Sequence, residues 1–377
     1  MTEEKSNNTE FLSVDEVSQK LFNKDFSDIK YLLCTNYVHQ TLLDEENTRT
    51  GLYQWLNVFD GDVKYPRDVD DFNKYDIIQI NMSTQDLPLI NTIKSQLNPN
   101  NTRTKIVVNN DYTTELWGAS FPHPDTLARE IQNADMIFGT EYFQVSTLSE
   151  LVKRKVFIIP HPADVRRLKS LPSIEKKPII STIWRRYDNF SYVPHFAVRN
   201  HGLTTRLIGF DKDKDSRTWL TTSLYDYVLA GTNFFDFTSQ LKESMIVYDP
   251  FTLHSYNRAG VDCAAMGVAI VGSNRTQSMN VCYPYTTVDP YDTASARVLI
   301  NKLLTDKEFY NTVIETAKKN VEIYSHDNSA MLYMNSLLDS LDENSQDIIV
   351  NKPKVSVKGT GTDILVGGLH NETKKDN

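Results

Sequence analysis

Cysteine is scarce in this chain: Cys34, Cys263 and Cys282 are three residues among 377, with no Cys-x-x-Cys spacing. That supplies neither an even-numbered disulfide framework nor a thiolate cage for zinc, so reduced thiols are the expectation. A run of about 18 apolar residues, the length a membrane-spanning helix needs, is also missing. The opening residues MTEEKSNNTE are polar and acidic, without the apolar segment of a secretory leader. A cytoplasmic location is therefore expected. Positive charge is in deficit, with 40 Lys and Arg against 49 Asp and Glu, a formal net charge of -9. No overall electrostatic footprint for nucleic acid results, and such contact would need a local basic groove. The chain has no P-loop, no G-x-S-x-G turn, no H-E-x-x-H and no kinase signature. Gly359-Thr360-Gly361 lacks a third glycine and a framing strand and helix. No internal repeat is visible.

What is present is an alternation. At roughly 100–200 residues per domain the length suggests two domains, and 40% hydrophobic residues suffice to fill both cores. Apolar runs of strand length lie at Tyr31–Cys34, Ile77–Ile80, Ile106–Val108, Met136–Phe138 and Val156–Ile159. Amphipathic segments such as Leu87–Leu97 and Pro124–Asn133 separate them, the pattern of a parallel sheet. After Pro160-His161-Pro162 the chain turns charged and proline-containing, which reads as a linker. A second set follows at Ile179–Ile183, Thr205–Ile208, Met245–Val247, Ala269–Val271 and Thr286–Val288, with helices at Ala294–Leu304 and Lys307–Tyr324. The expected architecture is α/β, two doubly wound domains facing a cleft. The divisions are a flexible N-terminus 1–10, a first domain 11–165, a linker 166–178, a second domain 179–342 and a polar tail 343–377.

The densest signal runs from Met245 to Asp292: a short apolar strand, Asp-Pro, a polar loop, a helix rich in small residues, a second strand and another Asp-Pro. His254, Ser255, Tyr256, Asn257 and Arg258 lie at the end of a buried strand and open a helix, where α/β sheets bind phosphorylated ligands. Asp262, in that helix, can accept both hydroxyls of a ribose, or it can serve only to charge the helix's first turn. Ala264, Ala265 and Gly267 allow close packing on the sheet, and Gly267 is placed to end the helix. Arg258 precedes Asp262 by one turn, so the two can form an i, i+4 pair, or the guanidinium can point at a diphosphate.

The segment Asp262-Cys-Ala-Ala-Met-Gly267-Val-Ala-Ile-Val-Gly272-Ser273 resembles the Glu-Ala-Met-Ala-x-Gly-x-Pro-Val-Val-x-Ser block of GT-B glycosyltransferases of the retaining, glycogen-synthase-like kind. Asp135–Gly139 and Val156–Asp164 are similar to the close of that family's acceptor domain, and the downstream Asp-Pro turn and the terminal helix YSHDNSAMLYMNSLL also fit. The resemblance is best from Ile179 to Leu338. It implies two Rossmann-like domains, a nucleoside diphosphate sugar as co-substrate, a hydroxyl acceptor, and no metal or other cofactor. It also implies that the first domain takes the acceptor and the second the donor. The departure lies at the paired glutamates with seven residues between them, which here are His254 and Asp262. His254 thus matches the residue that contacts sugar hydroxyls, as a neutral imidazole or a cation, or it is an ordinary loop histidine. Arg185 and Arg186, after the first strand of the second domain, match a diphosphate clamp, although the family's glycine and lysine are absent. A pair of arginines at a strand end is also a common solvated edge.

The acceptor side offers His39, Asp44, Glu45 and Arg49 in the long loop Thr35–Gly51, and Asp111 after the strand at Ile106–Val108. An inverting enzyme would use such a carboxylate as general base, whereas a retaining one leans on the leaving phosphate. His123 and His161 are held between prolines in rigid turns. Two other readings stand beside the transferase. One is a nucleotide-sugar binding protein that has lost catalysis, suggested by His254. The other is a transferase acting on a modified DNA base, as some viral GT-B enzymes of this size do, against which the acidity weighs.

Overall fold

The computed structural model describes residues 26, 28–36, 51–83, 85–117, 124–184, 193–194, 201–210, 225–230, 233–341, 354–355 and 364–365. The first six strands are β1 (Tyr31–Cys34), β2 (Asp62–Lys64), β3 (Ile77–Asn81), β4 (Lys105–Asn110), β5 (Met136–Gly139) and β6 (Phe157–Ile158). They form one parallel sheet in the order β2-β1-β3-β4-β5-β6. The next six are β7 (Lys177–Ile183), β8 (Thr204–Phe210), β9 (Tyr227–Ala230), β10 (Ser244–Asp249), β11 (Ala269–Ser273) and β12 (Thr287–Val288). These make a second parallel sheet, β12-β11-β10-β7-β8-β9. Counted from β7, that is the 3-2-1-4-5-6 order of dinucleotide-binding sheets, reversing between β7 and β10.

The helices are α1 (Gln54–Phe59), α2 (Leu89–Gln96), α3 (Pro124–Ile131), α4 (Tyr142–Val152), α5 (Val165–Ser170), α6 (Phe234–Glu243), α7 (Arg258–Met266), α8 (Gln277–Cys282), α9 (Thr293–Thr305), α10 (Lys307–Asn320) and α11 (His326–Leu341). Among the described residues, none is long and apolar enough to cross a membrane.

A parallel sheet covered on both faces needs strands that are apolar throughout, because successive side chains point to opposite sides. In the first sheet Leu32, Ile78, Ile106 and Ile137 enter one core, while Leu33, Ile77, Val107 and Phe138 enter another. The second core is closed by the end of the chain. Ala330, Tyr333, Met334 and Leu337, at helical spacing on α11, are buried in it. The Tyr333 ring lies 4.9 Å from Trp55, 5.3 Å from Phe59 and 5.5 Å from Phe138, centroid to centroid. The last helix, expected to belong with the second sheet, therefore completes the first one.

The linker expected over 166–178 is also shorter. Val165 and Leu168 of α5 pack into the core of the second sheet, and β7 begins at Lys177. The chain thus passes between the units twice, and the passages lie side by side, with the Ala163 amide donating to the Tyr324 carbonyl at 2.8 Å. The helix expected over Lys307–Tyr324 ends at Asn320 and tightens into a 3-10 turn over Val321–Tyr324. In the tail, Lys354–Val355 pairs antiparallel with Ile364–Leu365.

Two outcomes test this packing. Tyr333→Ala should cost about 3–5 kcal/mol in urea denaturation, the usual loss for a large buried aromatic. Tyr333→Phe should stay within about 1 kcal/mol, because the buried hydroxyl has no hydrogen-bond partner among the described residues. The second concerns His326, whose Nε2 lies 2.9 Å from Gln54 Oε1 and whose pKa burial lowers from 6.5. As pH falls through about 6.5, the unfolded chain gains a proton that the folded one refuses. Stability from this group should therefore drop on acidification below that pH. His326→Gln should flatten the decline between pH 7.5 and 5.5 in the same urea assay.

Candidate functional site

The reversal between β7 and β10 puts a crevice at the carboxyl ends of these strands, where open α/β sheets bind ligands. Trp184 follows β7, its amide donating to the Ile208 carbonyl at 2.8 Å. Arg185 and Arg186 come next in the chain but lie outside the described residues, as do His39, Asp44, Glu45, Arg49 and His123. β10 ends at Asp249, which is buried and accepts a hydrogen bond from Asn257 Nδ2 at 2.8 Å. Asn257 is left-handed, with φ 53°, a conformation asparagine tolerates better than most residues. Its carbonyl accepts from Ser278 Oγ at 2.6 Å and from the Gly260 amide at 3.2 Å, which fixes the turn into α7. A Cβ at Gly260 would sit 2.3 Å from Ser278 Oγ, so the close approach of α7 to α8 requires glycine there. Gly267 ends α7 with φ 68°, as its position suggested.

Two residues of the loop are engaged within the chain. The Ser255 amide donates to the Arg275 carbonyl at 3.3 Å, and its own carbonyl accepts from the Gln277 amide at 3.0 Å. That amide is spent on chain pairing rather than offered to a phosphate. Tyr256 is buried, its hydroxyl donating to the His161 carbonyl at 2.8 Å and its ring edge-on to His161 at 5.6 Å. Burial pushes the Tyr256 phenol well above its ordinary value. His161 Nε2 in turn lies 3.0 Å from Asp111 Oδ1. Asp111, at the end of β4, is thereby drawn to the same side of the cleft as the loop.

The next layer is Asp262, which is fully buried. Neither of its carboxylate oxygens makes a hydrogen bond among the described residues, and Arg258 Nε stands 3.5 Å from Oδ1. The i, i+4 pair that the spacing allowed is therefore present. At that distance it is an ion pair without a good hydrogen bond. A buried carboxylate left in this state is costly, and a ligand carrying two hydroxyls would satisfy it.

His254 reaches across the cleft. Its Nδ1 lies 2.5 Å from Glu115 Oε1, and its backbone amide donates to the same oxygen at 3.0 Å. Glu115 sits in the short turn Thr114–Leu116 after β4, so the units built on the two sheets meet here through an imidazole–carboxylate contact. Phe143, in the first turn of α4, lies 4.5 Å from the His254 ring. That turn is anchored by Glu141, whose carboxylate accepts from the Phe143 amide at 2.7 Å and the Gln144 amide at 2.6 Å. Burial raises the Glu141 pKa, and those amides act against the rise.

The structure thus brings His254, Asp111, Ser255, Tyr256, Asn257, Arg258 and Asp262 to one region. Glu115, Phe143, Glu141 and Asp249 join them without having been singled out. Asp249 carried a readable signal, an Asp-Pro at a strand end before a turn containing asparagine. Glu115 carried none, being 139 residues from His254.

No sequence-family model matches the chain, and no curated protein matches it. Solved structures do. One described as trehalose-6-phosphate from E. coli bound with UDP-2-fluoro glucose aligns with a TM-score of 0.60 at 11% identity, covering 82% of this chain and 99% of that one. Sucrose-phosphate synthase from Thermosynechococcus elongatus aligns at 0.53 and 13% identity, covering 82% of each chain. An alpha-glucosyltransferase in complex with UDP and a 13-mer DNA containing a HMU base aligns at 0.52 and 13% identity, over 82% of this chain and 99% of that one. At these identities the likeness establishes the fold, which is GT-B: two Rossmann-like units facing a cleft.

The contact across the cleft is measurable. A double-mutant cycle of Glu115→Ala and His254→Ala, followed by thermal or urea unfolding, should give a coupling energy of about 1 kcal/mol. Additive effects would show that the pair contributes nothing to joining the units.

Proposed function

We propose that the chain is a glycosyltransferase that moves a sugar from a nucleoside diphosphate donor to a hydroxyl acceptor without a metal ion. The observation that carries the reading is Asp262, a buried carboxylate with no hydrogen bond to either oxygen among the described residues, on the helix that opens at the β7/β10 reversal. The unit built on the second sheet holds the donor, and the unit built on the first holds the acceptor. Asp262 accepts the two ribose hydroxyls. Arg258 turns from Asp262 toward the diphosphate, joined there by Arg185 or Arg186, so that guanidinium groups meet the charge of the leaving group.

His254, with Nδ1 held by Glu115, presents Nε2 to a hydroxyl of the transferred sugar. In the transfer, the bond from the anomeric carbon to the diphosphate oxygen breaks and the diphosphate keeps the electron pair. The acceptor oxygen bonds to the same carbon and its proton passes to the leaving diphosphate. Asp111, 3.0 Å from His161 Nε2, orients the acceptor hydroxyl, and His39 is a further candidate for acceptor contact. Three buried cysteines, none of them in a disulfide among the described residues, fit a reducing, cytoplasmic setting. A DNA-base acceptor is the second reading, favoured by the alignment with a DNA-bound alpha-glucosyltransferase. The net charge of -9 weighs against it.

Asp262→Asn and Asp262→Ala should each weaken binding of UDP-sugars, or of whichever nucleoside diphosphate sugar a thermal-shift screen selects. The expected loss is about 1.5–3 kcal/mol by calorimetry, the range for hydrogen bonds to a charged group. Unchanged donor affinity in both folded variants would sink the proposal.

A further inference from the structure

His254 belongs to the second unit, yet an edge and a face of its imidazole are set by the first. Nδ1 lies 2.5 Å from Glu115 Oε1, and the His254 backbone amide donates to that same oxygen at 3.0 Å. One carboxylate oxygen therefore holds both the ring and the main chain of the loop. The Phe143 ring lies 4.5 Å from the imidazole, centroid to centroid, with 31° between the planes, so it covers one face. Glu115 follows β4 and Phe143 follows β5, two strands that pair in the first sheet. Glu141 keeps Phe143 in place by accepting from the Phe143 and Gln144 amides.

A ring held in this way cannot turn over without losing its bond to Glu115. The same contact settles where the imidazole carries its proton. An ionised carboxylate only accepts hydrogen bonds, and a neutral imidazole has one N–H and one bare nitrogen. The tautomer follows from the bond that one nitrogen makes, which here puts the proton on Nδ1 and leaves the lone pair on Nε2. Among the described residues Nε2 makes no hydrogen bond, and the ring stands in the wall of a cavity of about 260 Å³. A bare Nε2 takes a hydrogen bond from a hydroxyl, whereas a protonated one would give it.

An ion pair across the cleft would ask only for opposite charges. A fixed tautomer asks for a hydrogen-bond acceptor at the Glu115 position, charged or not. The two roles are therefore separable by substitution, because a glutamine oxygen can still accept from both the ring and the amide.

We propose that Glu115 is a positioning residue for the transfer: it locks His254 in the Nδ1–H tautomer, so that Nε2 accepts from a hydroxyl of the donor sugar. The contact with the sugar rests on the glycosyltransferase reading. The tautomer does not. Since the carboxylate comes from the opposite unit, preference for a sugar nucleotide over the bare nucleotide depends on a residue outside the unit that holds the donor.

Proton–nitrogen correlation spectra of the full chain at mildly alkaline pH test the tautomer, with His254→Gln supplying the assignment. The ring should be protonated at Nδ1 and bare at Nε2. Glu115→Gln should keep that pattern, and Glu115→Ala should replace it with a mixture. The Glu115 side chain is 29% exposed in a short turn, so neither change touches a core. Calorimetry then compares UDP-glucose, GDP-mannose and ADP-glucose with UDP, GDP and ADP. For the pair that binds, Glu115→Ala should weaken the sugar nucleotide roughly three- to tenfold and leave the bare nucleotide within about twofold, the loss expected for one hydrogen bond. Glu115→Gln should stay close to the unmutated chain. The proposal is overturned if Nε2 carries the proton, if Glu115→Ala leaves the tautomer or the preference for the sugar nucleotide unchanged, or if Glu115→Gln behaves as Glu115→Ala does. Binding of none of the six nucleotides removes the transferase reading and the sugar contact with it, whereas the spectra decide the tautomer on their own.

Discussion

Covering both faces of a parallel sheet is the constraint on which the rest of this molecule depends. Every strand of such a sheet exposes apolar side chains above and below, and each face needs a helix with a matching stripe. One face of the first sheet has the short α1 close to it, and the deficit is made good by α11, which returns from the far end of the chain with Tyr333 and Leu337. Because that helix must come back, the chain passes between the units twice, and the cleft has a fixed edge. The loop after β10 and the turn after β4 are then held opposite one another, and the His254–Glu115 contact is the result.

The chemistry of the cleft follows from where charge has been left without full compensation. Asp262 is enclosed with Arg258 Nε 3.5 Å from Oδ1, while Asp249, a short distance away in sequence, accepts a 2.8 Å hydrogen bond from Asn257. Two buried carboxylates therefore serve different ends. One fixes a turn, and the other makes no hydrogen bond among the described residues. The same contrast holds for Gln277, half of whose amide is committed to Tyr324 and half of which is not.

Central strands were legible in the sequence because burial on both faces writes them as unbroken apolar runs, as at Ile77–Ile80 and Ala269–Val271. The edge strands were not. β2 reads Asp-Val-Lys and is partly exposed, and β9 begins with the exposed Tyr227, so neither shows the signal of a buried strand. Gly267 declared its role because a left-handed helix end has a strong residue preference. Asn257 was read as a ligand contact, and its left-handed backbone became visible only with its hydrogen bond to Asp249. The destination of α11 was hidden for another reason. An amphipathic stripe says that a helix will be buried, but not against which of two available sheets.

Where the chain crosses between the units, the segment entering α5 and the segment leaving the 3-10 turn at Tyr324 run alongside each other, joined by the Ala163 amide. Two bodies joined by two adjacent chain segments have fewer relative motions open to them than bodies joined by one. The imidazole–carboxylate contact is a further tie between them, and any motion that parts Glu115 from His254 has to break it.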